Sequence, residues 1–222
     1  MHATWLTKVL VAATKTFTCQ VVVMYLLGLK LAELRGTLAP DRRAEIIADL
    51  KRIPRCIEEL LGTIDTQVTD IADAHWDKSF FLYLGRHVGL PVALEGALKL
   101  KEISYISTDA YAAGEMKHGP IALLDESTPV VTVATDSPVL DKVVSNMQEV
   151  RARGAHVVAV ATEGNQAIGE HAESVVRIPQ TDWMLQPLLA VIPLQLLAYR
   201  IARRRGLNVD QPRNLAKTVT VE

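Results

Sequence analysis

The chain has 222 residues, 49% of them hydrophobic and 22% charged, and 24 Lys and Arg against 25 Asp and Glu leave a net charge of −1. This composition excludes a mainly disordered chain and is enough for a real core. The balanced charge provides no strong field to gather phosphate backbones or anionic lipid, so no nucleic-acid partner is expected.

Residues 14–34 suit a buried helix, which Gly36 and Pro40 end. The apolar run within it, residues 21–31, falls short of the roughly 20 residues that span a bilayer, and Lys15 and Lys30 interrupt that window, so no membrane association is expected. The first residues lack a secretory pattern, and Cys19 and Cys56 lack CxxC spacing; both are expected to be reduced, buried thiols of a cytoplasmic protein. Residues 41–63 read as an amphipathic helix that Pro54 is placed to break or kink, and residues 66–75 read as a further helical stretch. Neither carries obvious chemistry, and together they resemble a connector.

At Phe80-Phe-Leu-Tyr-Leu-Gly the pattern changes to a short apolar run closed by glycine, as in a buried parallel strand. Similar runs recur at Val130-Val-Thr-Val-Ala, Val157-Val-Ala-Val-Ala and, more weakly, Val175-Val-Arg-Ile. Helical stretches lie between and after them, at residues 90–105, 138–153 and 184–205. Strands alternating with helices of this length predict βαβ units. The fold class expected is α/β: an open parallel sheet flanked by helices on both faces, preceded by the helical connector. Ligands of such sheets bind beyond the carboxyl ends of the strands, which draws attention to Gly85-Arg86-His87 and Thr135-Asp136-Ser137.

Three groups of residues have the chemistry for a site. On the helix after the first strand, Glu95, Lys99 and Glu102 share one face, with apolar Ala97, Leu100 and Ile103 opposite. An acid and an ammonium held together there suit proton transfer between substrate carbons and oxygens. A solvated stripe with an i,i+4 ion pair is the alternative. Asp109-Ala-Tyr-Ala-Ala-Gly-Glu-Met-Lys-His-Gly-Pro-Ile has the small residues of a shaped loop, and His118, just before a Gly-Pro turn, is a candidate acid or base near neutral pH; a turn histidine bonded to backbone is the alternative. The C-terminal segment from Asn208 avoids low-complexity composition and carries Pro212, so it is expected to dock with Lys217 inward. A desolvated lysine can form a Schiff base, although position alone favours an ordinary solvated lysine. No two histidines have the spacing of a zinc site, so no metal is expected.

Leu84-Gly-Arg, Ala93-Leu-Glu-Gly-Ala-Leu-Lys-Leu-Lys-Glu-Ile-Ser-Tyr, Ala110-Tyr-Ala-Ala-Gly-Glu-Met-Lys-His-Gly-Pro, Asp210-Gln-Pro-Arg-Asn-Leu-Ala-Lys and the ending Val219-Thr-Val-Glu resemble the isomerase part of glutamine:fructose-6-phosphate amidotransferases. That part has two sugar-isomerase (SIS) subdomains. The resemblance implies that residues 1–38 are the end of a mostly absent first subdomain, 39–73 a connector, 74–206 the second subdomain and 207–222 a catalytic tail. It further implies a glutaminase domain upstream or on a separate chain, a homodimer, fructose 6-phosphate as substrate, glucosamine 6-phosphate as product, and no cofactor.

By position, the resemblance assigns Lys217 to a Schiff base with open-chain sugar and Glu102 to proton transfer between C1 and C2. Lys99 would assist at the sugar oxygens, with Glu95 and Arg213 in support. His118 would open the sugar ring, reaching the site of a neighbouring subunit. Val11 and Ala12 would meet the sugar through backbone, and Ala13 stands where the family commonly carries Ser. His87 replaces a glycine, and Ser107 a frequent histidine. Two other readings stay open: a different SIS-fold isomerase or deglycase, and a sugar-phosphate sensing module.

Overall fold

A computed structural model describes residues 12–215. Its elements in chain order are α1 (Thr14–Arg35), α2 (Pro40–His75), β1 (Phe80–Gly85), α3 (Gly89–Ser104), β2 (Ser107–Ala112), β3 (Pro129–Ala134), α4 (Leu140–Arg151), β4 (His156–Thr162), β5 (Ser174–Ile178) and α5 (Gln186–Arg204). Short 3-10 turns at Ala113–His118 and Pro120–Leu123 follow β2, and a third, Gln166–His171, precedes β5.

The five strands are parallel in the order β2-β1-β3-β4-β5. Alternate residues of each strand point to opposite faces, and the core divides accordingly. Phe81, Tyr83, Val131, Val133, Val158 and Val160 face the cluster formed with α2, α3 and α5, whereas Leu82, Leu84, Val130, Val157 and Ala159 face α4 and the turn carrying Met116. The expected sandwich is what forms, with one strand more than the apolar runs indicated. That strand, β2, is an edge strand of Ser, Thr, Asp, Ala and Tyr paired only with β1. Its half-exposed position removes the need for a continuous apolar run, so this stretch does not show the pattern of its neighbours.

Two helices differ from expectation. α2 is one helix of 36 residues running through Pro54, not two broken segments. Pro54 is exposed, so its missing N–H leaves a carbonyl that water can reach, while Ile46, Ile53, Leu60, Ile64, Val68 and Ile71 form a continuous buried stripe against the core. α1 is exposed rather than buried: only Thr14 is covered, and Val23, Met24, Leu26, Leu27, Leu31 and Leu34 face outward. Apolar residues surround this helix on all sides, so hydrophobicity did not reveal which side packs. Phe17, Val21, Val22 and Tyr25 do, and the Tyr25 hydroxyl bonds the Met184 carbonyl. At 22 residues α1 is also longer than its apolar run, and by length and composition alone it suffices to cross a membrane. Cys19, on its outer face, is exposed and Cys56 half-buried; both are free thiols, and neither is buried as expected.

Two glycines set the approach of α3 to its neighbours. A methyl built on Gly85 would lie 2.3 Å from the Gly89 carbonyl oxygen, where α3 begins. One built on Gly96 would lie 2.6 Å from Leu194 Cδ1 and 3.0 Å from Tyr83 Cε1, so Gly96 lets α3 settle against both α5 and the sheet.

Candidate active site

The polar face of α3 is not a solvated stripe. Glu95 and Lys99 are buried, at 9% and 3% exposure, while the apolar Leu94 and Leu98 are the residues that face outward. The Lys99 ammonium donates to Glu102 Oε2 at 2.5 Å and lies 3.7 Å from Glu95 Oε1. Glu95 Oε1 has no hydrogen-bond partner although it is buried. Burial pushes the Glu95 carboxyl above its ordinary range; Lys99 opposes that shift and Glu102 adds to it. Two carboxyls thus compete for one ammonium in a region largely closed to water. Such an arrangement is costly for stability alone, and it is typical of a group kept ready to exchange protons.

Glu102 is the fourteenth of the sixteen residues of α3, about 20 Å from the helix start at 1.5 Å per residue. The cluster therefore lies away from the crevice beyond the strand ends, which the topology alone had singled out. In that crevice Thr162 Oγ1 accepts from the Asp136 N–H, and His87 adopts φ +51° with its ring 5.1 Å from that of Trp183. The positive φ accounts for glycine at this position in the resembling family.

The C-terminal segment reaches the same end of α3. Tyr105, the residue that caps the helix, has φ +62°, a left-handed conformation uncommon for a residue with a bulky side chain. Its hydroxyl accepts the Arg213 N–H at 2.8 Å, and the Arg213 guanidinium lies 4.2 Å from its ring centroid. Arg213 is thus docked at Tyr105, three residues along the chain from Glu102, while Lys217 lies outside the described residues.

The N-terminal segment meets the middle of α5. Ala12 is buried in the main core, the exposed Ala13 follows it, and the Thr14 carbonyl lies 3.5 Å from Gln195 Nε2. Leu194, the neighbour of Gln195, is what Gly96 of α3 packs against. Val11 lies outside the described residues. The buried Thr14 hydroxyl, like Glu95 Oε1, has no hydrogen-bond partner.

His118 is placed elsewhere. It is exposed, and its imidazole is 3.9 Å from Glu115. Its turn packs through Ala113 and Met116 on the sheet face opposite to that covered by α3. The structure thus gathers Glu95, Lys99, Glu102 and Arg213 near one helix and leaves His118 across the sheet. Tyr105 belongs with these residues but was not singled out from the sequence; it ends the long block around Lys99, which was its only signal. Among the described residues no group of three or more His, Cys, Asp or Glu is arranged to hold a metal.

The SIS domain model matches residues 76–203, more than half of the chain. The chain belongs to the SIS domain family. This SIS domain is 53% identical over 212 residues to a glutamine–fructose-6-phosphate aminotransferase (isomerizing) of Gloeobacter violaceus and 51% identical to one of Thermus thermophilus; each alignment covers 96% of this chain and 35% of the relative. The chain thus spans about a third of the length of these relatives. Among solved structures, it is similar to the C-terminal domain of glucosamine-fructose-6-phosphate aminotransferase from Francisella tularensis, with a TM-score of 0.84 and 38% identity over 91% of this chain and 57% of that one.

Proposed function

We propose that this SIS domain is the second half of the isomerase part of a glutamine–fructose-6-phosphate aminotransferase, and that it converts fructose 6-phosphate and ammonia into glucosamine 6-phosphate. The observation that carries this reading is the buried ammonium of Lys99 between Glu95 and Glu102, beside the docked C-terminal segment. The matched relatives bear that activity in their names and are similar over nearly the whole chain.

In this mechanism the Lys217 amine attacks C2 of the open-chain ketose and releases water, forming a Schiff base. Lys217 is four positions beyond Arg213, a reach of at most about 14 Å, so docking at Tyr105 supports delivery of Lys217 to the α3 cluster. Ammonia then displaces the lysine from C2. Glu102 takes a proton from C1 and returns it to C2, giving the 2-amino aldose, while Lys99 donates hydrogen bonds to the sugar oxygens on which charge develops. Glu95 keeps Lys99 in place, and the backbone of Val11 and Ala12 contacts the sugar.

His118 opens the furanose ring before these steps. Its position across the sheet from Lys99 supports its action in the site of a second copy, and hence a homodimer. The phosphate-binding subdomain and the glutaminase that supplies ammonia belong upstream or on a partner chain, in the cytoplasm. In this reading residues 1–38 end the first subdomain, 39–73 connect it to 74–206, and 207–222 form the catalytic tail. The test is Glu102→Gln in the assembled enzyme. Glutamine hydrolysis continues and glucosamine 6-phosphate formation stops; continued formation at the unmodified rate refutes the assignment.

A further inference from the structure

The turn that carries His118 is fastened to its own subunit by a residue with no role so far. Arg86, the first residue after β1, donates from Nε to Asn146 Oδ1 at 2.9 Å, and Asn146 is itself buried on α4. The guanidinium of Arg86 covers Gly114: a methyl built on that glycine would lie 2.8 Å from one terminal nitrogen and 3.1 Å from the other. A side chain at position 114 would therefore push the end of Arg86 aside. Two residues further on, Met116 is fully buried in the core cluster of the same sheet face, and Lys117 pairs with Glu149 of α4 at 2.9 Å. The 3-10 turn Ala113–His118 is thus held at three points, and its last residue, His118, projects into solvent.

A histidine meant to be solvated has no need of such fastening, but one that must meet a sugar ring oxygen on another surface does. An exposed imidazole on a loose loop samples many directions, and a misplacement of about 1 Å can cost a hundredfold in rate. The planar guanidinium suits this task better than a lysine ammonium, since its terminal nitrogens lie over Gly114 while its Nε bonds Asn146. We propose that Arg86 is a positioning residue for ring opening, acting through Gly114 to aim His118. The proposal rests on the role given to His118 above, and it adds the residue that sets the histidine's direction.

A substrate that cannot cyclise separates this role from a general structural one. Fructose 6-phosphate closes its ring through the C5 hydroxyl, so 5-deoxyfructose 6-phosphate stays open-chain and needs no ring opening. In the assembled enzyme Arg86→Met is expected to lower turnover of fructose 6-phosphate ten- to a hundredfold and to leave turnover of the 5-deoxy analogue within about twofold of the unmodified enzyme. Gly114→Ala, which displaces the guanidinium without removing it, is expected to show the same selectivity, and so is His118→Asn. Equal losses on both substrates in Arg86→Met and Gly114→Ala, or no loss on either, overturn the role of Arg86 while a selective defect in His118→Asn leaves the histidine's role standing. No selectivity in His118→Asn overturns the histidine's role and the proposal with it.

Discussion

Replacing Lys99 by Met removes the ammonium and keeps the length of the side chain, so the change isolates charge from packing. The Lys99 side chain is 4% exposed, Glu95 9% and Glu102 21%. Removing one partner of a buried ion pair commonly costs about 3–5 kcal/mol. Glu102 is partly solvated and recovers some hydration, which places the expected loss near the low end, about 3 kcal/mol at neutral pH, or roughly 6–12 °C in melting temperature for a domain of this size. The loss depends on pH in a definite direction. The Glu95 carboxyl is already raised by burial, and without Lys99 it loses the influence that opposes the rise. A folded-state pKa above the unfolded value makes the variant less stable as pH rises from the ordinary glutamate value to the raised one. Destabilisation is therefore greatest near neutrality and shrinks as pH falls toward the ordinary glutamate range and Glu95 takes up a proton. Glu95→Gln in the Lys99→Met background removes the stranded carboxylate and restores about 1–2 kcal/mol. Thermal unfolding of the four proteins of this cycle at two pH values measures both effects. Equal destabilisation at the two pH values, together with no rescue by Glu95→Gln, refutes the buried two-carboxyl cluster.

Three further outcomes follow from particular contacts. Gly96→Ala gains helix propensity, yet its methyl meets Leu194 at 2.6 Å, so a net loss of about 1–3 kcal/mol is expected in chemical denaturation, and a gain in stability contradicts the close approach of α3 to α5. Tyr105→Phe removes the acceptor for the Arg213 N–H; it is expected to cost about 1 kcal/mol or less in stability while slowing borohydride trapping of fructose 6-phosphate on Lys217 several-fold, and an unchanged trapping rate contradicts the docking role. His75 is held below its ordinary pKa by burial first and then by His156 and Lys78, against the opposing pull of Glu173 and Asp77. A depressed folded-state value means that its stabilising contribution is complete above the ordinary value of about 6.5 and is lost as pH falls below it. His75→Gln should flatten the loss of stability between pH 7.5 and 5.5, and an unaltered slope assigns that loss to other groups.

The buried strands were legible because β1, β3 and β4 are covered on both faces and therefore carry almost continuous apolar runs. β2 was not, since an edge strand meets one neighbour and tolerates Ser107, Thr108 and Asp109. The continuity of α2 through Pro54 depends on which side of the helix packs, and that is settled by its apolar stripe meeting the core, not by the proline. On α3 the spacing placed Glu95, Lys99 and Glu102 together correctly, but not their environment: packing against α5 buries the charged residues and turns Leu94 and Leu98 outward. His118 was singled out by its Gly-Pro turn, whereas its separation from Lys99 by the sheet needed the strand order. The clamp formed by Arg86, Gly114 and Asn146 joins residues 28 and 60 positions apart from Arg86 and leaves no periodic trace in the chain.

The central claim is that Glu102 moves the proton between C1 and C2 once ammonia has replaced a Schiff base on Lys217. It is tested most directly by incubating the assembled Glu102→Gln enzyme with fructose 6-phosphate and glutamine in deuterated water, following exchange at C1 by NMR, and trapping the lysine imine with borohydride in a parallel sample without glutamine. The expected result is an adduct on Lys217 with no exchange at C1. Exchange at the rate of the unmodified enzyme would contradict the account.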